Sequence, residues 1–132
     1  VQLASEVQKL QKPLPDVKCA TVLLFDMTGA NILRVQTTKS QKKGEWSEPG
    51  GKLEIGEKPL DAMARELSEE TGITVDGCKM LGKVYDINCK ANFYVFQAKV
   101  ELHPIVQPGD SVVKAEWTPR GEAAENASFR LS

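Results

Sequence analysis

The chain lacks most of the features that assign a protein by composition. No apolar run approaches the roughly 18–20 residues needed to span a bilayer, so no membrane partner is expected. The start carries no signal-peptide pattern; it begins at Val1 rather than Met, so further residues are expected upstream. The one histidine, His103, stands beside Pro104 with no partner in sequence, and reads as a surface residue rather than a catalytic base. Cys19, Cys78 and Cys89 are odd in number and fit no zinc-ligand spacing. They read as reduced, mostly buried thiols of an intracellular, cytoplasmic protein, with a disulfide as the lesser alternative. Net charge is −1, so no basic field points to nonspecific nucleic-acid binding.

What is present suits one domain over residues 1–132: the chain is 41% hydrophobic, enough for a single core. Residues 1–16 read as an N-terminal arm, weakly helical and polar until Pro13 and Pro15. Val17–Phe25 is a strong strand, apolar on both faces, and Ile32–Gln36 returns after the Asp26–Asn31 turn to form a hairpin. Cys78–Asn88, Asn92–Val100 and Val112–Trp117 read as further strands, with a helix beginning near Glu122. On the second of these, Phe93, Val95 and Gln97 share one face, and Tyr94, Phe96 and Ala98 the other. No internal repeat or linker interrupts the pattern, although the last helix looks short, as if cut at Ser132.

Residues 51–73 carry the chemistry. At about 100° per residue from Pro59, Leu60, Met63, Ala64 and Leu67 form an apolar stripe. Glu66, Glu69 and Glu70 form a second stripe, roughly a third of a turn away. Pro59 suits the first helical position, Asp61 the electropositive first turn, and Gly72 a left-handed C-terminal cap. Like charges three and four residues apart cost a helix roughly 0.2–0.5 kcal/mol per pair, and Arg65, four before Glu69, offsets part of that. A cluster of hard oxygen ligands is what Mg²⁺ or Mn²⁺ requires; a solvated acidic face is the bland alternative. Gly50 and Gly51 permit close backbone approach or simply a tight turn.

This segment resembles the Nudix box, G-x5-E-x7-R-E-U-x-E-E-x-G-U. All nine specified positions match: Gly51, Glu57, Arg65, Glu66, Leu67, Glu69, Glu70, Gly72 and Ile73. Trp46–Gly50 also looks like the usual lead-in. The resemblance implies an α/β fold, the Nudix-type α/β/α sandwich with a mixed β-sheet. It implies a metal-dependent hydrolase of a nucleoside diphosphate linked to another group, a nucleotide being the small-molecule partner. By the same resemblance the Gly51 carbonyl, Glu66, Glu69 and Glu70 supply ligands to Mg²⁺, or Mn²⁺. Glu57 supports the metal or the fold. Which glutamate acts as base differs among relatives, so Glu66 and Glu69 are both candidates. Arg65 is expected to orient a glutamate by a charge-assisted hydrogen bond. Many relatives are homodimers, which the resemblance allows, but no interface is legible.

Substrate choice is read outside the box. Relatives acting on ADP-ribose carry a proline some fifteen positions after it, and those acting on dinucleoside polyphosphates a tyrosine; here Asn88, Cys89 and Lys90 stand there. The short length and the Gly109-Asp110 to Trp117 region look more like MutT-type nucleoside triphosphate pyrophosphohydrolases. In that reading Asp110, with Glu116 as runner-up, binds metal or reads the base; ordinary turn chemistry after Pro108-Gly109 weighs equally. Trp117 stacks on a base or, more commonly, anchors the core. Arg34 and a lysine from Lys39, Lys42 and Lys43 are candidate phosphate contacts, against a solvated loop for the lysines. Trp46 is expected to pack beneath that loop. The leading expectation is hydrolysis of a (d)NTP to the monophosphate and pyrophosphate. ADP-ribose, a nucleotide sugar or a dinucleoside polyphosphate are alternative substrates, and a non-catalytic Nudix-fold binding module is the alternative of another class.

Overall fold

The computed structural model describes residues 17–38, 44–87, 90–100, 106–109 and 111–125. The N-terminal arm, Lys39, Lys42, Lys43, Cys89, His103 and Asp110 lie outside the described residues. The elements in order are β1 (Lys18–Phe25), β2 (Asn31–Thr37), β3 (Trp46–Ser47), β4 (Gly50–Lys52), α1 (Pro59–Thr71), β5 (Lys79–Asp86), β6 (Ala91–Lys99), β7 (Val112–Pro119) and α2 (Arg120–Glu125). Among the described residues, no helix is long and apolar enough to cross a membrane.

β1 is central because it is apolar on both faces. It pairs in parallel with β6 along its whole length, from Lys18 opposite Asn92 to Phe25 opposite Lys99. β4 runs antiparallel to its first half, with Ala20 opposite Gly51 and Thr21 opposite Gly50. The sheet follows the order β3-β2-β1-β6-β5, with β7 joined to β2. Among the described residues, one parallel pair among antiparallel ones makes the sheet mixed, and with α1 against β1 and β4 and α2 against β2 and β7 it forms the expected α/β sandwich.

The β1–β2 turn is set by Asp26, fully buried. Its carboxylate accepts from the Thr28 hydroxyl at 2.7 Å and the Asn31 side-chain amide at 2.7 Å, while Gly29 adopts φ 75°. The hairpin expected here is only partly formed. Its register sets Phe25 opposite Ile32; farther from the turn the same edge of β1 pairs with β4 and the same edge of β2 with β3, while β6 and β7 take the opposite edges. A central strand with two apolar faces gains more from several ladders than from one.

The core gathers Ala20, Val22 and Leu24 of β1, Leu33 of β2, Met63 and Leu67 of α1, and Phe96 and Ala98 of β6, with Tyr94 packed beside them. Tyr94, Phe96 and Ala98 thus share a face, as their alternation required. The apolar stripe of α1 needs correction. Leu60 is 48% exposed and Ala64 is exposed. The buried positions are Ala62, Met63, Glu66, Leu67, Glu70 and Thr71. The helix is rolled so that two carboxylates, rather than Leu60 and Ala64, face the strands. Cys19 is buried, but Cys78 is exposed, against the expectation of buried thiols.

This roll is testable by truncation. Leu67→Ala should cost about 2–5 kcal/mol in urea-induced unfolding. Leu60→Ala should cost less than about 1 kcal/mol; equal losses would contradict the placement of the helix.

Candidate active site

The site is built where α1 crosses β4. Pro49 precedes β4, and its carbonyl accepts from both the Val22 amide at 3.1 Å and the Thr21 hydroxyl at 2.9 Å. That clamp lays Gly50 directly on β1. A Cβ on Gly50 would strike the Ala20 carbonyl oxygen and lie 2.8 Å from the Thr21 Cα, so only glycine fits. The Gly50 amide then donates to Glu70 Oε1 at 2.8 Å. Gly51 meets the helix instead: a Cβ there would lie 2.5 Å from the carboxyl carbon of Glu66. Two glycines thus bring two buried glutamates onto the backbone of one short strand.

Arg65 holds the rest. Its Nε donates to Glu57 Oε2 and its Nη2 to Glu57 Oε1, each at 2.9 Å, a bidentate pair. Its Nη1 donates to Glu66 Oε1 at 3.1 Å and to Glu69 Oε2 at 3.3 Å. Its Nη2 also donates to the Lys52 carbonyl at 3.1 Å. One guanidinium therefore joins the loop after β4, the strand end and two glutamates of α1. Arg65 hydrogen bonding, and then the Glu54 amide, hold the Glu57 carboxyl down at about 2 from the usual 4.5. Glu57 in turn raises the pKa of Arg65, which stays cationic throughout.

The carboxylates differ in access. Glu66 and Glu70 are buried, whereas the Glu69 side chain is 58% exposed. Among the described residues, no three acidic, histidine or cysteine side chains already converge at metal-ligand distance. The donor set nevertheless fits a hard divalent cation: carboxylate oxygens from one helix face, with the Glu66 carboxylate against Gly51.

The other candidates are placed as follows. Arg34 is buried, donating from Nη2 to the Trp46 carbonyl at 2.9 Å and lying 3.5 Å from Glu48 Oε1. This geometry gives it an internal task, fastening β3 and the lead-in to β2. Trp117, opposite Leu33, packs against the core cluster, which favours the anchor reading. Glu116 is exposed on β7, opposite Arg34. Lys43 and Asp110 lie outside the described residues. Sequence reasoning missed the Gly50 amide as a donor and Glu48 as the neighbour of Arg34; the only signal was the Glu48-Pro49-Gly50 lead-in.

Residues 16–131 match the NUDIX domain. The chain is 52% identical over 46 residues to an 8-oxo-dGTP diphosphatase of Proteus vulgaris, a match covering 35% of this chain and 41% of that protein. It is 39% identical over 67 residues to an RNA pyrophosphohydrolase of Bartonella clarridgeiae, covering 47% and 39% respectively. The matched segments span less than half the length of these relatives. Among solved structures, a MutT protein from Methanosarcina mazei Go1 superposes with a TM-score of 0.73 at 24% identity, over 88% of this chain and 86% of that one. This last likeness shows the fold.

The depressed Glu57 pKa gives a pH signature. A carboxylate ionised more easily when folded stabilises the protein above its unfolded value of 4.5 and loses that effect as pH falls through about 2. Unfolding free energies of the unmodified chain and Glu57→Gln should differ by a constant amount above pH 4.5 and converge toward pH 2. A difference that is independent of pH across that window would refute the pairing.

Proposed function

The chain belongs to the NUDIX family, and on that premise we propose that it hydrolyses a nucleoside diphosphate-linked substrate, best a (d)NTP, to the monophosphate and pyrophosphate. The observation that carries this reading is the Arg65 fan, which sets the glutamates of α1 beside the Gly50–Gly51 backbone. A binding module would have no need of so many carboxylates held against their own repulsion. The likeness to an 8-oxo-dGTP diphosphatase supports a triphosphate substrate.

In this reading Glu66, Glu69, Glu70 and the Gly51 carbonyl would hold Mg²⁺ or Mn²⁺. Such a metal, when bound, offsets phosphate charge and lowers the pKa of the attacking water. Arg65 is a positioning residue: its Nη1 fixes Glu66 and restrains Glu69, while Glu57 and the Lys52 carbonyl fix Arg65. Glu69, the most exposed of the three glutamates and held by Arg65 at 3.3 Å, is the one able to turn and accept the water proton on a carboxylate oxygen. Glu70 is committed to the Gly50 amide and so ties the helix to β4.

The likeness to an RNA pyrophosphohydrolase favours a second reading, in which the triphosphate belongs to an RNA end. One panel separates the two. With Mg²⁺, the chain is offered common and oxidised nucleoside triphosphates, 5′-triphosphorylated RNA, ADP-ribose, a nucleotide sugar and a dinucleoside polyphosphate. Monophosphate and pyrophosphate from a free nucleotide are expected. Cleavage of RNA alone selects the second reading, and no cleavage of anything overturns both. Glu69→Gln and Glu70→Gln should each lower turnover by roughly 10²-fold or more, with unchanged unfolding midpoints; full turnover in either would remove that residue from the machinery.

A further inference from the structure

Helix α1 ends unfavourably for the charges it carries. Its last turn holds Glu69 and Glu70 and no basic residue, at the end where the helix dipole is already negative. Its final carbonyls also need donors from elsewhere. Gly72, at φ 74°, supplies one by donating its amide to the Ser68 carbonyl. Two more come from a distant segment: the Gln107 amide donates to the Thr71 carbonyl at 2.9 Å and the Gly109 amide to the Glu70 carbonyl at 3.0 Å. Gly109 is itself held from behind, its carbonyl accepting the Val112 amide at 3.0 Å at the head of β7. The Ser111 carbonyl accepts the Thr38 amide at 2.9 Å, joining the same segment to the end of β2.

Gly109 lies so close to the helix that a Cβ there would strike the Glu69 carbonyl oxygen and sit 3.1 Å from the Glu69 carbonyl carbon. Its backbone is not in the left-handed region, unlike Gly29, Gly44, Gly56 and Gly72. Proximity to Glu69, rather than backbone conformation, is what demands glycine.

We propose that Gln107–Gly109 is a positioning brace for the acidic turn, with Gly109 its positioning residue. It holds the last turn of α1 helical against its own charge and fixes where Glu69 and Glu70 present their carboxylates. It also makes the β2–β7 ladder and the acidic turn one mechanical unit, so that displacement of either is felt at the other. The inference rests on the metal-dependent hydrolase reading above.

The test compares Mn²⁺ affinity by electron paramagnetic resonance and kcat and KM for dGTP, both below the unfolding transition, with the unfolding midpoint measured separately. Gly109→Ala should bind Mn²⁺ roughly 10- to 100-fold more weakly, in line with other residues that orient metal ligands. Its kcat should fall while KM changes little. Gln107→Pro removes the donor to Thr71 and sets its ring against the Thr71 carbonyl rather than against Glu69, and should move the same quantities in the same direction. Gly77→Ala, where a Cβ meets nothing within 4 Å, is the unaffected control. If Gly109→Ala does not fold, Gln107→Pro decides. A folded brace variant with a lowered midpoint but unaltered Mn²⁺ affinity and kcat overturns the proposal. An unmodified chain that neither binds Mn²⁺ nor cleaves any member of the substrate panel overturns the hydrolase reading, and this inference with it.

Discussion

The guanidinium of Arg65 is the interaction on which the rest of the site depends. Three carboxylates on one helix face repel, and two of them are buried. A lysine would offer one compact charge; arginine offers a planar fork whose Nε and Nη2 close on Glu57 while Nη1 serves Glu66 and Glu69. Because Glu57 stays ionised far below neutrality, the anchor for Arg65 is permanent under ordinary conditions. Glu57, Glu66 and Glu69 thus share one counter-charge, while Glu70 accepts from the Gly50 amide.

Charge alone would not fix position. The glutamates are located by backbone: Pro49 is clamped by Thr21 and Val22, Gly50 is pressed on β1, and its amide is turned toward Glu70. At the other end of the acidic face, Gly109 is pressed on Glu69 in the same manner. Both contacts are close backbone approaches at glycine, one beside β1 and one at the helix end.

Much of this was legible in the sequence, for definite reasons. The nine box positions, the Pro59 start and the Gly72 cap are local signals, and α1 runs from Pro59 to Thr71 between them. The strands were readable because apolar alternation is also local. What was not legible depended on distant partners. The roll of α1 that exposes Leu60 and buries Glu70 is decided by Gly50, which hydrophobicity cannot anticipate. The short β1–β2 ladder ends where β4 takes the same edge of β1 and β3 the same edge of β2. Arg34, readable as a basic residue near phosphates, is buried beside Glu48 because β3 and the lead-in return over β2. Pro108-Gly109 read as a turn, and nothing nearby disclosed that it meets the helix.

The parallel ladder between β1 and β6 has a consequence for how the site comes into being. β1 precedes the box and β6 follows it, and their pairing from Lys18–Asn92 to Phe25–Lys99 encloses the whole acidic segment in one long loop. The entropy of closing such a loop is lost before its contacts compensate, and pairing between remote segments is slow. The acidic helix, short and self-repelling, has little stability of its own to wait with. A nascent chain that has emerged only as far as the box therefore carries every acidic residue of the motif, but neither the strand that flanks β1 along its whole length nor the segment that meets the end of α1.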